Sequence, residues 1–584
     1  MIDSPFRLPR YTPFGLGESV VEWATGLSKL DQIYQQRPAE LSSFEFMHHT
    51  LSALNIDYSI AAGSTTNIPT EGPVVIVANH PLGAIEGVIL ADLVGSIRQD
   101  VKVLANELLK RLPELDELFI GVDVFNNKQA KQTNAKAIRD ANHHLADGGV
   151  LIVFPAGEVS SYSKEDRTLT DIKWSKSVAK FVKRHQAATV PIFINGKNSE
   201  LFYQAGRVHP LLRTALLGRE LLNKRASTIS ISIGSSIPYS EIKSFEQDMD
   251  IVNYLRLNTY LMSQEDDQFS ESTSNPLFDT SIISAIDPVL LSKEIASIPS
   301  EMKLLEQGVF EVYCTPSQVI PNLMQEIGRV REESFREVGE GSGLACDLDE
   351  YDLYYSQLFV WNTEKSELVG AYRLGLVDEL ISQQGLSHLY SRSLFNYNQE
   401  FIDTLDHSIE LGRSVVSKAY QKNLNSLLLL WKGIATFVAR NPKYTHLFGP
   451  VSISNDYSHT ARLLIATTLS IHHYDEEKAN LVSPLSPLST NKKVFWQNHL
   501  LSSLASVPLL SKVLSRMEQG KGLPVLLRQY LGMNGKLVCF NVDPAFNDAL
   551  DGLIVVNLPK VPLKTLGKYM GRDKAEAYIN NHLT

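Results

Sequence analysis

An acidic, serine-rich segment divides this chain and so limits how many cores it can build. Residues 263–276 read SQEDDQFSESTSNP, with four acidic residues, four serines and one aromatic side chain. Such a composition is typical of a solvated linker. The chain has 584 residues, of which 43% are hydrophobic, enough for a packed core on each side. We therefore predict a domain at 1–262, a linker at 263–284 and a second domain at 285–584.

Charge and cysteine content argue against several classes of protein. The formal net charge of −10 argues against general nucleic-acid binding, although residues 1–262 carry 27 basic and 28 acidic side chains. That nearly neutral region tolerates an anionic membrane surface better than the more acidic remainder. The 3 cysteines lie far apart, which argues against a disulfide scaffold or cysteine-rich zinc site and favours a reducing compartment. We recognise no signal peptide or membrane-spanning run, so we expect any membrane association to be peripheral.

Both regions read as mixtures of helix and strand. In the first, short β-branched runs alternate with helical stretches, the pattern of an α/β layer. We predict its strands at 74–78, 119–124, 150–154, 188–194 and 228–234, and its helices at 84–95, 130–146 and 174–185. In the second, we predict a strand at 309–313, helices near 318–336 and 422–440, and a hairpin of strands 355–361 and 367–375.

A histidine follows the first of these strands directly, in the sequence NHPLGAIEG at 79–87. The end of a buried strand before a helix is where sheet enzymes place their chemistry. His80 and Glu86 can form a pair in which the imidazole takes a hydroxyl proton and the carboxylate orients the ring. A six-residue offset in one unbroken helix turns about 240° and would separate the two side chains. Pro81 and Gly83 must therefore bend the backbone; otherwise His80 caps a turn and Glu86 faces solvent.

Two further motifs follow in order along the chain, FPAGEVS at 154–160 and VPI at 190–192. With the His80 motif, they resemble the glycerolipid acyltransferase superfamily over residues 60–240. That resemblance implies acyl transfer from a thioester to a lipid hydroxyl, with His80 and Glu86 as the catalytic residues. It also implies an acceptor site that contains Asn106, Phe154, Pro155, Gly157 and Glu158.

The departures from this family concern the acceptor. The Glu and Arg with which the family contacts a phosphate are absent from the FPAGEV block, and a common Lys is replaced by Asn106. Because a dianionic phosphate needs paired cations, we expect an acceptor other than lysophosphatidic acid. Glu158 offers negative charge instead, which suits an acceptor with an ammonium group. The pattern resembles the branch that acylates lyso-aminolipids.

Leucines and basic residues interleave at 211–225 with near-helical spacing. One interpretation is an ordinary helix that faces the core. The other is an interfacial helix, whose apolar residues enter the acyl boundary of a membrane while its basic residues contact headgroups.

The second region carries clusters of charged residues. Taken singly, each is typical of a surface ion pair, and Glu410 with Arg413 fits an i,i+3 pair on a helix. As an ordered set over residues 300–560, they resemble the acyl-carrier-protein-dependent branch of the GNAT-like N-acyltransferases. The set comprises Arg331, Asp349, Asp352, Arg373, Glu410 and Arg413.

That branch includes acyl-homoserine lactone synthases and ornithine N-acyltransferases. Four more segments are similar to the lipid-forming enzymes: LWKGI at 430–434, FGPVS at 448–452, RQYL at 528–531 and FNVDP at 540–544. Residues 412–424 lack the nucleotide-binding loop that acetyltransferases using free coenzyme A carry there. The resemblance therefore implies an acyl carrier protein as the carrier of the donor.

N-acylation sets three chemical requirements. A base must take a proton from an α-ammonium group before the nitrogen attacks a thioester, and Glu410 or Asp349 fits this role. Backbone donors at a strand splay must hold the tetrahedral oxyanion. A cation must bind the carboxylate of the amino acid, for which Arg373 or Arg413 fits. Asp352 either pairs with a side-chain ammonium group of the substrate or belongs to the scaffold.

Together, the two regions resemble the bifunctional ornithine lipid synthases. The resemblance implies that the second domain acylates the α-amine of ornithine with a 3-hydroxyacyl group, and that the first esterifies the hydroxyl of this lyso-ornithine lipid. It implies a peripheral enzyme at the cytoplasmic face of a bacterial inner membrane, with no metal or redox cofactor. Alternatives are a phospholipid acyltransferase with an accessory domain, a synthase for another amino acid such as glycine or lysine, a signal synthase, and an idle first domain that only docks to membranes.

Overall fold

The described residues form two compact units. The computed structural model describes residues 4–12, 15–123, 128–163, 167–263, 280–490 and 494–582. The first unit is Met1–Glu265 with Phe495–Leu504, and the second is Asp266–Val494 with Ala505–Thr584. Most of the predicted linker, 264–279, lies outside the described residues.

One segment from late in the chain belongs to the first unit. Phe495–Leu504 packs there, although the sequence places it in the second domain. The ring of Phe495 stacks on that of Tyr260 with centroids 5.6 Å apart, and the side-chain amide of Asn253 donates to the carbonyl of His499. The first unit is therefore assembled from two stretches of the chain.

A seven-stranded sheet forms the centre of the first unit. In sheet order the strands are β1, β9, β8, β2, β5, β3 and β4, and every neighbouring pair is parallel except β8 with β9. The strands β6 and β7 pair separately. The bounds are β1 Asp57–Gly63, β2 Val74–Ala78, β3 Val101–Asn106, β4 Phe119–Val122, β5 Val150–Val153, β6 Ser161–Tyr162, β7 Leu169–Thr170, β8 Ala188–Ile194 and β9 Thr228–Ile233.

Helices pack around this sheet. All five side chains of β2 are buried, as expected for a central parallel strand of continuous β-branched residues. Helix α4, which follows β2, buries nine of its eleven residues, so its sequence is apolar on every face. The bounds are α1 Leu16–Ala24, α2 Leu27–Gln35, α3 Ser43–Leu54, α4 Ile85–Gly95, α5 Lys128–Ala146, α6 Ser177–His185, α7 Glu200–Val208, α8 Pro210–Ala215, α9 Leu217–Asn223, α10 Tyr239–Ile242 and α11 Asp248–Leu261.

An eight-stranded sheet forms the centre of the second unit. Its order is β10, β11, β12, β13, β15, β16, β19 and β18, and neighbours are antiparallel except β15 with β16. The strands β14 and β17 pair separately. The bounds are β10 Lys303–Gln307, β11 Phe310–Pro316, β12 Ser356–Asn362, β13 Glu367–Leu376, β14 Phe395–Tyr397, β15 Ser408–Val416, β16 His446–Ile453, β17 Val482–Pro484, β18 Lys536–Asp543 and β19 Ala549–Asn557.

Helices of the second part of the chain cover this sheet, apart from the short α19, which belongs to the first unit. Helix α13 buries an apolar stripe against β13 and β15 through residues such as Ile327 and Val330. The bounds are α12 Pro288–Ala296, α13 Pro321–Glu337, α14 Val377–Gln384, α15 Gln399–Asp403, α16 Leu424–Arg440, α17 His459–His472, α18 Glu476–Ala479, α19 Asn498–Leu501, α20 Val507–Met517, α21 Val525–Gly532, α22 Leu563–Met570 and α23 Arg572–Asn580.

The α/β fold class predicted for both regions is confirmed. The predicted strands and helices agree with the observed ones to within a few residues, and strands 355–361 and 367–375 do pair antiparallel. The predicted i,i+3 helix pair of Glu410 and Arg413 is wrong, because both residues lie on strand β15. An i,i+3 spacing of opposite charges is typical of a helix, but this segment pairs with β13 on one side and β16 on the other and is therefore a strand.

The stretch at 211–225 forms two short helices, α8 and α9, and the two behave differently. Leu211 and Leu212 on α8 are about half exposed, whereas Leu221 and Leu222 on α9 pack against the core of the first unit. The core-facing interpretation therefore fits α9, and α8 keeps an exposed apolar surface. No helix among the described residues has the length and hydropathy needed to cross a membrane.

Candidate active sites

The structure brings His80 and Glu86 together. His80 follows β2 directly, and Glu86 lies in the first turn of α4. Nδ1 of the imidazole lies 3.4 Å from Oε1 of the carboxylate. The Glu86 side chain is fully buried, and the His80 side chain is 16% exposed. The separation and burial fit a base whose ring is oriented by a carboxylate.

A bend between the two residues makes this contact possible, as the sequence requires. Gly83 has φ of +104°, and an added Cβ would lie 2.5 Å from a methyl carbon of Leu217. The Glu86 carboxylate accepts hydrogen bonds from the backbone N–H groups of Leu82 and Gly83, at 2.5 and 2.8 Å. The same carboxylate therefore closes the bend and faces the imidazole.

Each partner shifts the proton affinity of the other. Burial alone would lower the pKa of His80, but the charge of Glu86 and its hydrogen bond raise that pKa above its ordinary value. Burial alone would raise the pKa of Glu86, but His80 holds it below its ordinary value. The pair therefore favours an imidazole ready to carry a proton beside an ionised carboxylate.

A buried aspartate supports His80 from the other side, and no sequence motif indicated it. The Asp171 carboxylate accepts from the backbone N–H of His80, from the Ser160 hydroxyl and from the indole N–H of Trp174, at 3.2, 2.5 and 2.9 Å. The backbone N–H of Asp171 donates to the hydroxyl oxygen of Tyr260 at 2.8 Å. This network fixes the backbone that carries the imidazole.

The imidazole lies at a large cavity of about 430 Å³. The ring of Phe154 packs on that of His80 with centroids 4.7 Å apart. Asn106, Pro155, Gly157 and Glu158 also line the cavity, so it collects every predicted acceptor residue of this unit. Most of the remaining wall is apolar and includes Leu104, Leu109, Phe119, Val122, Val153 and Phe202. Such a wall suits an acyl chain.

Arg213 changes the interpretation of Glu158. Its guanidinium lies 2.8 Å from the Glu158 carboxylate, and both residues line the cavity. We expected Glu158 to offer negative charge to an acceptor with an ammonium group, and sequence reasoning did not select Arg213. Helix α8 supplies this arginine from outside the FPAGEV block. The cavity therefore presents a cation and an anion side by side.

In the second unit, the predicted charged residues form one network. Arg331 donates to both carboxylate oxygens of Asp352, at 2.9 and 3.1 Å. Arg373 donates to Asp349 at 2.5 Å and lies 3.6 Å from Asp352. Arg413 lies 3.3 Å from Asp349. Arg331 and Arg373 are fully buried, so breaking either pair would leave an uncompensated charge in the interior.

Most residues of this network bind one another and therefore have a structural role. The carboxylate of Asp349 also accepts from the backbone N–H groups of Tyr351 and Asp352 and so caps a short turn. Asp352 and Arg373 are each held by protein partners, which favours the scaffold alternative for Asp352. Of the two arginines predicted to bind a carboxylate, only Arg413 is among the residues that line the nearby cavity.

Glu410 is placed away from that cavity. Its buried carboxylate accepts from the hydroxyl of Tyr355 and from the backbone N–H groups of Tyr390 and Ser391. These donors occupy both oxygens of the carboxylate. The geometry therefore gives no support to Glu410 as the base for an ammonium group.

The cavity lies where two parallel strands part. The pairing of strands β15 and β16 is limited to Ser408–Glu410 on β15 and His446–Phe448 on β16. Beyond this point Gly449 approaches Leu411 so closely that an added Cβ would lie 2.1 Å from the Leu411 carbonyl oxygen. The predicted strand splay is thus present in the structure. It opens a cavity of about 150 Å³, the size of a small polar molecule.

A bulge aims Arg413 at this cavity. The register between β13 and β15 jumps so that Arg413 and Ser414 lie opposite the single residue Tyr372. Arg413 has φ of +48°, in the left-handed region that a side chain such as arginine rarely adopts. Backbone strain of this kind is concentrated at functional sites.

Three carboxylates that the sequence reasoning did not select line the same cavity. They are Glu340, Asp543 and Asp551, and only Asp543 lies in a segment noted beforehand, FNVDP at 540–544. Burial, with the nearby charges of Asp551, Asp456 and Asp543, raises the pKa of Glu340 to about 8. Burial and Asp543 raise the pKa of Asp551 to about 7. These groups can therefore exchange protons near neutral pH.

Two protein-family models match separate parts of the chain. The family model described as Acyltransferase matches residues 26–268, and the model described as Acetyltransferase (GNAT) domain matches residues 330–432. The chain is therefore an acyltransferase with two different acyltransferase domains. It belongs to the family of the glycine N(alpha)-acyltransferase of Phocaeicola vulgatus and to that of the lyso-glycine lipid O-acyltransferase of Bacteroides thetaiotaomicron.

Three relatives have assigned activities. The glycine N(alpha)-acyltransferase of Phocaeicola vulgatus is 31% identical over 294 residues, which are 47% of this chain and 89% of that protein. The lyso-glycine lipid O-acyltransferase of the same organism is 29% identical, over 32% of this chain and 66% of that protein. The protein of that name from Bacteroides thetaiotaomicron is 30% identical, over 32% of this chain and 68% of that protein.

Proposed function

We propose that this chain makes an aminolipid by two successive acyl transfers. The GNAT unit joins a 3-hydroxyacyl chain to the α-amine of an amino acid, and the acyltransferase unit esterifies the 3-hydroxyl of the product. The main support is the presence of two chemically different cavities, one large and apolar beside an imidazole and one small and charged at a strand splay. The names of the relatives, an N-acyltransferase and a lyso-lipid O-acyltransferase, support the same pair of steps.

The pair of His80 and Glu86 supports the esterification step. Since Nδ1 of His80 faces Glu86, Nε2 is the ring nitrogen that takes the proton of the acceptor hydroxyl. The hydroxyl oxygen attacks the thioester carbonyl carbon, a C–O bond forms and the C–S bond breaks. The imidazolium then returns the proton to the leaving sulfur.

The cavity at the splay supports the amide-forming step. Arg413 receives the carboxylate of the amino acid, for which a guanidinium has matched geometry. The backbone of β15 and β16 beyond Glu410 and Phe448, where the two strands no longer pair, holds the developing oxyanion. An acyl carrier protein delivers both acyl chains as thioesters, and neither step requires a metal ion or redox cofactor.

The head group is ornithine in this proposal. Three carboxyl groups around one arginine give the cavity more hydrogen-bond acceptors than a single α-ammonium group needs, which suits an amino acid with a second ammonium group. In the first unit, the adjacent Arg213 and Glu158 match the carboxylate and side-chain ammonium of the resulting lyso-ornithine lipid. Glycine is the second candidate, because the assigned relatives act on glycine or its lyso-lipid by name.

A membrane surface beside the first cavity completes the proposal. Leu211 and Leu212 on α8 are exposed, and Leu211 also lines the cavity that contains His80. Arg207 and Arg219 lie on the neighbouring helices. Apolar side chains flanked by arginines suit peripheral docking to the cytoplasmic face of an anionic inner membrane. A lyso-lipid would then reach the cavity from the bilayer.

One rival is a phospholipid acyltransferase with an accessory domain. A phosphate dianion calls for paired cations, but Arg213 is the single lysine or arginine among the described residues that line the first cavity, and Glu158 adds a negative charge beside it. A signal synthase would release a soluble product and would have no use for a second centre beside an acyl-sized cavity.

The test is mass spectrometry of lipids from a bacterial host that makes no aminolipids, expressing the full chain. We expect a new lipid with one amide-linked and one ester-linked acyl chain on ornithine, with glycine lipid as the second candidate. A lipid with two ester-linked chains on glycerol phosphate, or a soluble acylated amino acid, would contradict the proposal. Cells carrying the same chain with both His80→Ala and Arg413→Ala provide the matched control.

A further inference from the structure

The amide-forming step needs a base, and both predicted candidates are occupied by protein partners. Glu410 lies outside the cavity with both oxygens occupied, and Asp349 is paired with Arg373 and Arg413. An α-ammonium group must lose a proton before its nitrogen can attack. A carboxylate at the cavity with a free oxygen is therefore required.

We propose that Asp551 is the base of the amide-forming step, held in place by Ser452 at the splayed strands. This inference rests on the proposed N-acylation, and it concerns a residue outside the sequence motifs described above. Asp551 lies on β19 and Ser452 on β16, where the two residues are direct partners across the antiparallel pair.

The contacts of Asp551 leave one of its oxygens for a substrate. The Ser452 hydroxyl donates to Oδ1 of Asp551 at 2.6 Å. Among the described residues, we find no hydrogen bond to Oδ2. The residue is only 3% exposed and lines the cavity, so it borders the space that an amino acid would fill.

A second feature of the cavity points to a polar ligand. Hydroxyl groups gather on its wall, because the buried Tyr372 lies beside Ser414 and Tyr530 and all three residues line the cavity. A hydroxyl group can both donate to and accept from a polar ligand. Tyr372 lies opposite the bulge that carries Arg413, so these hydroxyls and the cation share one wall.

The other carboxylates at the cavity fit supporting roles. Asp543 on β18 accepts from the backbone N–H of Ala545 and so caps the turn that follows its strand. Glu340 lies just beyond α13, where its backbone N–H donates to the carbonyl of Phe335. Among the described residues, we find no hydrogen bond to the Glu340 carboxylate, so it can pass the proton from Asp551 to solvent.

The charges around Asp551 set its proton affinity near neutrality. Burial raises its pKa to about 7, and Asp543 adds to this effect, whereas the Ser452 hydrogen bond and the charge of Arg413 oppose it. Glu340 is a further acidic group at the cavity, and the titratable tyrosines on its wall are Tyr372, Tyr390 and Tyr530. A base with a pKa close to the working pH is the most efficient kind.

The step balances without any further reactant. The α-ammonium group gives one proton to Asp551, and the neutral nitrogen attacks the thioester carbonyl carbon. A C–N bond forms and the C–S bond breaks as the tetrahedral intermediate collapses. A second N–H proton leaves the nitrogen and ends on the thiol sulfur, and Asp551 releases its proton to solvent.

The test uses the purified full chain, an acyl carrier protein loaded with a 3-hydroxyacyl group, and the amino acid found in the lipid. We expect Asp551→Asn to lower kcat for amide formation by about 10² to 10⁴-fold, with the KM for the amino acid changed less than about threefold. The inflection near pH 7 in kcat/KM should disappear. Unchanged kcat, or an effect on KM alone, would overturn the proposal.

Two controls separate chemistry from folding. Glu518→Gln alters a buried carboxylate of the same unit that also accepts from a serine hydroxyl, that of Ser458, but does not line the cavity. We expect it to leave the pH inflection in place. Denaturant titration of the Asp551→Asn chain reports whether the second unit is folded, and ester formation on supplied lyso-lipid reports the same for the first unit.

Ser452→Ala keeps the proposal testable if Asp551→Asn fails to fold. Losing the hydroxyl removes a hydrogen bond that lowers the pKa of Asp551, so the inflection should move to higher pH while kcat at the plateau survives. An inflection that does not move would overturn the assignment of Asp551. A chain that forms no amide with any amino acid, even unaltered, would instead contradict the proposed function.

Discussion

His80 and Glu86 meet through one short bend, whereas the groups around the cavity of the second unit come from five separate parts of the fold. Gly83 and the first turn of α4 bring the imidazole and carboxylate together within seven residues of chain. Arg413, Ser452, Asp543 and Asp551 lie on four different strands, and Glu340 follows a helix. The comparison teaches that a site built locally leaves a motif in the sequence, while a site built by sheet topology does not.

The two cavities also differ in what they can bind. The cavity at His80 has about 430 Å³ and a mainly apolar wall, so it has room for an acyl chain beside a hydroxyl. The cavity at the splay has about 150 Å³ and is lined by charged groups, so it fits an amino acid better than a chain. The proposed bases differ accordingly, with an imidazole for a hydroxyl proton and a carboxylate for an ammonium proton.

The division of labour between the two cavities is tested most strongly by His80→Ala. We expect ester formation to fall by about 10² to 10⁴-fold, because the general base is lost, while amide formation is unchanged. The amide-linked lyso-lipid should then accumulate, as seen by mass spectrometry in a host without a substitute acyltransferase. Normal ester formation would mean that the first unit is an idle docking module.

Glu86→Gln sharpens the same comparison through pH. We expect a loss of about a hundredfold in kcat/KM for ester formation, at the low end of what acid–base chemistry contributes. In the unaltered chain, activity should fall as pH drops through the raised pKa of His80, since only the neutral ring accepts a proton. Without the Glu86 charge, burial dominates, so the inflection should move to lower pH.

Glu86→Asp is the conservative control for that experiment. The shorter side chain keeps its charge but is drawn back from the imidazole, so we expect partial loss with the inflection close to that of the unaltered chain. Unchanged turnover in both variants would remove Glu86 from the site.

Glu410→Gln asks whether the second unit uses the carboxylate that the motif indicated. We expect the free energy of unfolding of this unit to fall by about 1–3 kcal/mol, because an amide nitrogen would face a backbone N–H that now donates to a carboxylate oxygen. Denaturant titration measures this change. A chain of full stability that has lost amide formation at saturating substrate would instead restore Glu410 as the base.

Much of the fold followed from the sequence because buried parallel strands carry continuous β-branched runs. VVIVA at 74–78 is the clearest case, and every one of its side chains is buried. Strand β15 was not predicted, because its buried face carries charged residues such as Glu410. The hydrogen bonds around Glu410 stabilise this buried carboxylate. The ion pair of Arg213 with Glu158 was also not predicted, since 55 residues separate the two along the chain.

The smallest expected effect concerns the head group, and it arises at this pair of Arg213 and Glu158. The pair is partly exposed, so it contributes only about 0–1 kcal/mol. With a lyso-lipid that carries a side-chain ammonium group, we expect Glu158→Gln to raise KM about two- to fivefold, because one favourable charge contact is lost. With a glycine-derived lyso-lipid, which has only a carboxylate, the same variant should leave KM unchanged or lower it, since Arg213 is freed.

Arg213→Gln should raise KM for both lipids. KM for both lyso-lipids, measured on the unaltered chain and the two variants, therefore separates the two head groups. Equal effects of Glu158→Gln on both lipids would show that this cavity does not distinguish the amino-acid side chain.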